Sequence, residues 1–254
     1  MEYLRGLRVM REDPGWVGKV GVASLLLLSS MVIPMLGQIA FQGWRTLIVR
    51  RAAAGLDSPM PRLELDFDYL GKLLSPGFKS FLARLVWVMP VAFLMMGVMM
   101  CFYGAMVVTV LGGAAATSHQ HGAGGLAGVC CFAFFFLIMI PLMLTAQLPA
   151  MVASLRAEIS DDLQKAFDFK AVLHMTRGMF KEFFLGQLVL GLLAFPMMLV
   201  GILTCGLGML PAAVVLNIVQ GHFMAQIYAL WLERGGEPLT LGPLDLVPPA
   251  PAGF

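Results

Sequence analysis

Residues 85–155 read LVWVMPVAFLMMGVMMCFYGAMVVTVLGGAAATSHQHGAGGLAGVCCFAFFFLIMIPLMLTAQLPAMVASL, a run of 71 positions without one Asp, Glu, Lys or Arg. A soluble domain carries roughly a quarter of its residues charged, so a run of this length belongs in a bilayer. Two further uncharged runs flank it, 50 residues at 183–232 and 25 at 20–44. A spanning helix takes roughly 20 residues. The shortest run therefore holds one crossing and the 50-residue run two. The longest also holds two, because its middle at 112–128 is rich in Gly, Ala, Ser and His and reads as a connecting loop. The expectation is an all-α polytopic integral membrane bundle of about five transmembrane helices. It forms a single membrane domain over 1–240 with a Pro-rich cytoplasmic tail at 241–254. Trp44 and Arg45 close the first run without a small-residue cleavage site, so that run is read as retained.

Composition agrees, with 59% apolar and 13% charged residues. The formal charge of +2, with no basic run interleaved with aromatics, points away from nucleic acid. The expected partners are membrane lipid and a protein partner or a second copy of the chain. Basic residues set the orientation. Residues 45–84 carry seven Lys or Arg and 156–182 carry five, while 112–128 carry none. By the positive-inside bias the two basic segments face the cytoplasm of an inner (plasma) membrane and the Gly/His loop faces out. Trp16, Trp44, Trp87 and Trp231 all fall at ends of the apolar runs, as an aromatic belt requires. One end of this map does not close. Five crossings place the N-terminus outside, yet residues 1–19 carry Arg5, Arg8, Arg11 and Lys19. A cytoplasmic N-terminus needs the first run to break at Pro34 and Gly37 as a re-entrant hairpin, tolerable where the break is buried in protein or lines a cavity.

An internal repeat argues for the crossing. Phe67, Phe78, Lys79 and Phe81 recur 102 positions later as Phe169, Phe180, Lys181 and Phe183. Residues 32–36, VIPML, likewise resemble 139–143, MIPLM. The halves are about 20–112 and 126–204, followed by a last helix at about 209–232. Each unit is a Pro-containing membrane helix, a basic interfacial amphipathic segment and another membrane helix, repeated in parallel. In the second copy Lys170, His174, Arg177 and Lys181 recur at helical spacing, with Phe169, Val172, Thr176, Phe180 and Phe183 on another face. Ser160 before Asp161 and Asp162 reads as an N-cap. Such a helix lies in the headgroup layer, and Lys170, Arg177 and Lys181 are the candidate contacts for lipid phosphate.

Other constellations read either as chemistry or as packing. His119 and His121 supply two ligands where a defined metal site needs three or four. Met95, Met96, Met99, Met100 and Cys101 are the ligand type for monovalent copper, but the chain's 20 Met read better as packing filler. Cys101, Cys130, Cys131 and Cys205 read as reduced packing residues. The last helix is the most polar, with Asn217, Gln220, His222 and Gln226 as a candidate intramembrane polar site. His222 leads that set, either as a packing group bonded to Gln187 or Gln147 or as a ligand or proton site.

The order Asp13-Pro14-Gly15-Trp16 with Lys19, the Pro34 to Gly37 break, Gly43 to Arg51, Ala54-Gly55, Pro61, Asp66-Phe67-Asp68, and Gly221-His222 to Gln226-Ile227-Tyr228 resembles prokaryotic membrane proteins of domain-of-unknown-function family 4013. Pro61-Arg62 departs from the Leu-Pro-Glu-like element of that pattern. The resemblance implies a multi-helix membrane protein without assigned catalytic or binding residues. No phosphate loop, zinc-protease helix or serine elbow is present. The expected role is therefore non-catalytic and cofactor-free: a scaffold or subunit of a membrane complex, or a lipid-organising protein. The alternative is a passive or partner-driven transporter or channel with a polar cavity between the repeats.

Overall fold

A computed structural model describes residues 1–116, 137, 139, 143 and 147–246. Most of the described residues are helical, with no strand among them. In chain order the helices are α1 (Arg5–Glu12), α2 (Trp16–Ser29), α3 (Leu36–Ala53), α4 (Phe67–Ala116), α5 (its described part 147–160), α6 (Leu163–Phe167), α7 (Phe169–Gly178), α8 (Phe180–Leu203) and α9 (Met209–Glu233).

Three helices are long and apolar enough to cross a membrane: α4 over Phe67–Gly104, α8 and α9. That is fewer than the five expected. One missing crossing, around Pro141, lies outside the described residues, as do the Gly/His loop with His119 and His121, and Cys130 and Cys131. The other is a correction. The first apolar run is broken into α2 and α3, because Pro34 has no N–H to continue a helix and Met35 turns left-handed at φ 72°. A Cβ on Gly37 would lie 1.9 Å from the Leu26 carbonyl oxygen, so only glycine lets α3 fold back over the end of α2. At about 1.5 Å per residue the 14 residues of α2 span about 21 Å, short of a hydrocarbon core of about 30 Å.

Helix α3 is buried from Ala40 to Arg50 and packs against α2, α4 and α9. Its approach to α4 is backbone to backbone. A Cβ on Gly43 would meet the Leu73 carbonyl oxygen at 2.0 Å, and one on Gly77 would meet the Ile39 carbonyl oxygen at 1.9 Å. Small residues at both contact points are what close helix crossings require. Helix α9 joins two cores. One gathers Phe41, Trp44, Leu47, Ile48 and Leu73 with Val214 and Ile218. The other gathers Leu155, Ile159, Val172, Met175 and Phe183 with Phe223 and Ile227.

The two stretches expected to be repeat units open alike, but only locally. Asp66 precedes α4, which begins at Phe67, and Asp168 caps α7, which begins at Phe169. Phe78, Lys79 and Phe81 then sit inside one continuous helix, whereas Phe180 opens a new one after Met179. The N-cap expected at Ser160 is also displaced. The Ser160 hydroxyl donates back to the Arg156 carbonyl within α5, and Asp162 caps α6 by accepting from the Gln164 amide. Cys101, near the end of the α4 span, and Cys205, in the turn between α8 and α9, are exposed and not packed as expected.

Candidate functional site

Ionic groups collect at one end of the bundle. Helix α3 carries Arg45 and Arg50 there, α4 carries Lys79 and Ser80, and α5 brings Glu158 and the following Asp161. Arg45 pairs with Glu158 at 2.8 Å, and the Ser80 hydroxyl donates to the same carboxylate oxygen at 2.8 Å. Arg50 donates through Nε to the Glu158 carbonyl and pairs with Asp161 at 2.7 Å, while Lys79 reaches Asp161 at 2.9 Å. Burial alone would raise the Asp161 carboxyl, but bonds from Lys79 and Arg50 outweigh it and hold it below the usual carboxylate range. Segments distant in sequence are riveted to this network. Arg50 donates to the Pro243 carbonyl at 3.2 Å and the Gly242 amide to the Ile159 carbonyl at 2.7 Å, which docks the described part of the tail.

The N-terminal segment is fixed by a second ionic knot. Asp13, 2% exposed, accepts from Lys19, from the Gly15 amide and from the Met60 amide, at 2.7, 2.8 and 2.8 Å. Its burial would raise the carboxyl, yet those donors leave it below the ordinary value. Arg5 pairs with Asp57. Of the expected polar residues of α9, two face this segment, at separate points. His222, 2% exposed, has Nδ1 3.4 Å from Asp57 Oδ1, and neither ring nitrogen has an aligned hydrogen bond. Its neighbour is thus Asp57, and neither Gln187 nor Gln147. Gln226 exchanges two bonds with the Glu2 backbone, at 2.8 and 2.9 Å. Asn217 donates to Ala213 of its own helix at 2.9 Å, and Gln220 is half-buried without a hydrogen bond among the described residues. His222 and Gln226 therefore share one face, toward the N-terminal segment, and the four do not converge on one point.

The basic residues of the 156–182 segment form a third grouping. Lys170, Arg177 and Lys181 are exposed, and none is in an ion pair among the described residues. On α7 the buried positions are Val172, Met175 and Thr176. Phe169, Leu173 and Phe180 remain exposed beside the cations, whereas Val172, Thr176 and Phe183 of the same expected face are buried. Lys170 and His174 also line a cleft of about 390 Å³ with Arg156, Asp168, Trp231 and Glu237. Arg156 and Trp231 are functional candidates that sequence reasoning missed, since they lie 75 positions apart and on different helices. Among the described residues no group of three or more His, Cys, Asp or Glu is placed to hold a metal ion.

A family model described as "Protein of unknown function (DUF4013)" matches residues 26–226, from the last turn of α2 to the C-terminal half of α9. No curated protein and no solved structure matches the chain.

Proposed function

The chain belongs to the DUF4013 family, which assigns no activity, and on that premise we propose that it is a non-catalytic membrane protein that organises anionic lipid at the cytoplasmic headgroup layer. The observation that carries this reading is the outer surface of α7. It presents Lys170 and Arg177, followed by Lys181, side by side with exposed Phe169, Leu173 and Phe180. Unpaired cations beside bare aromatic and aliphatic groups suit a helix seated where phosphate meets acyl chain. The adjoining spans support it. Their apolar windows are buried by 0% in α4 and 11% in α8, leaving surfaces such as Phe93, Met100, Leu192 and Phe195 for lipid or for helices of a partner.

The topology that fits this role is a set of helical hairpins hung from one charged layer: α2 with α3, α4 with α5, and α8 with α9. Both termini, residues 54–66 and residues 161–179 then lie on the cytoplasmic side, which removes the conflict with the basic N-terminal segment. The tandem repeat remains part of the reading, supported by the matching Asp-Phe starts of α4 and α7.

The test is lipid retention. Purified protein from membranes of mixed composition is expected to carry anionic phospholipid selectively, and Arg177→Glu with Lys181→Glu to lower that enrichment several-fold while the protein stays folded. Equal anionic enrichment of the double variant and the parent would refute the reading.

A further inference from the structure

Arg156 lies at the end of α5 and is 1% exposed, yet no carboxylate pairs with it among the described residues. Its Nε donates to the Lys165 carbonyl at 2.8 Å, and that is its single hydrogen bond there. A guanidinium so deeply desolvated is costly unless an anion reaches it. The cleft it lines provides the access.

The walls of the cleft explain what kind of anion. Lys170 at the rim is likewise unpaired among the described residues. Two acids also line the cleft, each with a contact of its own. Asp168 caps α7 by accepting from the Ala171 amide at 3.1 Å, and Glu237 lies 4.0 Å from Lys165. Trp231 adds a buried indole Nε1–H with no acceptor, and its ring lies 5.3 Å edge-on from His174. The chain is shaped to lay this wall down. Gly235 ends α9 at φ 80°, and a Cβ on Gly236 would fall 2.1 Å from the Trp231 ring. At about 390 Å³ the cleft sits in the lower part of the roughly 300–1,000 Å³ range of small-molecule sites.

We propose that the cleft between α5, α7 and the end of α9 is a binding site for a phosphate group, held by Arg156 and Lys170 with the Trp231 N–H as a neutral donor. Arginine's planar fork takes two oxygens of a tetrahedral oxyanion, lysine takes a third as a point charge, and the indole N–H is a donor with no acceptor capacity. The phosphate is either a phospholipid headgroup or a free phosphate. The first source rests on the reading of α7 as a headgroup-layer helix; the site itself does not.

The experiment uses the full chain in phosphatidylcholine nanodiscs. Thermal unfolding is followed against inorganic phosphate, with chloride at equal ionic strength as control, and against nanodiscs doped with phosphatidic acid. Either ligand is expected to raise the midpoint in a saturable way. Lys170→Gln, at an exposed position, is expected to weaken the apparent affinity by about tenfold, the scale of one charge-assisted hydrogen bond. Arg156→Gln is expected to abolish the shift, and Lys72→Gln, at an exposed position outside the cleft, to leave it unchanged. Saturable phosphate binding without a phosphatidic acid response keeps the site and removes the lipid reading. A phosphatidic acid response that Arg156→Gln abolishes and inorganic phosphate does not reproduce identifies the headgroup as the source. No shift with either ligand, or shifts that Lys170→Gln leaves intact, would overturn the site.

Discussion

The two ends of this bundle solve opposite problems with the same helices. At the charged end Arg45 and Arg50 of α3 meet Glu158 and Asp161 at the end of α5, each paired and all but Asp161 buried. At the other end Met31, Val32, Leu203 and Leu207 stand bare at helix turns. The first end is held by directed bonds between side chains far apart in sequence. The second relies on its surroundings to accept apolar surface. A helix such as α4 passes from one regime to the other: Lys79 and Ser80 lie inside the network, and Phe93 and Leu94 lie outside any core. Stability is therefore concentrated at one end, and the apolar end is available for lipid or partner helices.

Glu158→Gln gives the sharpest break of that contrast. It leaves Arg45 buried and unpaired, a change expected to cost about 3–5 kcal/mol. Unfolding of the variant in denaturant and mild detergent measures it; a loss below 1 kcal/mol would mean that the charged end is not the keystone. Gly43→Ala comes next. Its Cβ would strike the Leu73 carbonyl, so α3 and α4 must part, at a cost of about 1–3 kcal/mol. A Gly43→Ala protein as stable as the parent would show that the two backbones do not approach so closely.

Acid should also discriminate the ends. Asp13 and Asp161 have folded values below their unfolded ones, so their contribution is fully present above the ordinary carboxylate value of about 3.9 and is lost as pH falls through the lower folded values. Stability followed from pH 6 downward is expected to drop through that window, and Asp161→Asn, already weakened at pH 6, to show a shallower fall. An unchanged slope in Asp161→Asn would contradict the assignment. Phe195→Ala at the bare end, where the side chain is 66% exposed, should change stability in detergent by no more than about 0.5 kcal/mol. A larger loss would mean that the apolar end contains packing of its own.

Much of the fold was legible because charge-free runs and helix length are one-dimensional signals. The uncharged stretches located α4, α8 and α9 well, and the basic counts marked the segments that cluster. The first apolar run misled, since 25 residues suffice for a crossing. The break at Pro34 and Gly37 and the basic N-terminal segment were the only signs of the hairpin, and the apparent repeat outweighed them. Pairings across the chain left no local trace: Arg45 and Glu158 lie 113 positions apart. For the same reason His222 was recognised as unusual while its neighbour Asp57, in a loop, was not. Lys170 was singled out from helical spacing, but Arg156 beside it is buried among groups no periodicity connects.

The central claim is that every element of the charged end lies on one face of the membrane, the N-terminal segment included. It is tested by replacing Cys101, Cys130, Cys131 and Cys205 with Ser and placing single cysteines at Leu4, Arg62, Lys170 and Leu207. Intact cells are then exposed to an impermeant maleimide. The expected result is labelling from outside at Leu207→Cys alone, with Leu4→Cys, Arg62→Cys and Lys170→Cys reacting only after permeabilisation. External labelling of Leu4→Cys while Lys170→Cys stays protected would contradict the account, because α2 and α3 would then carry the chain across.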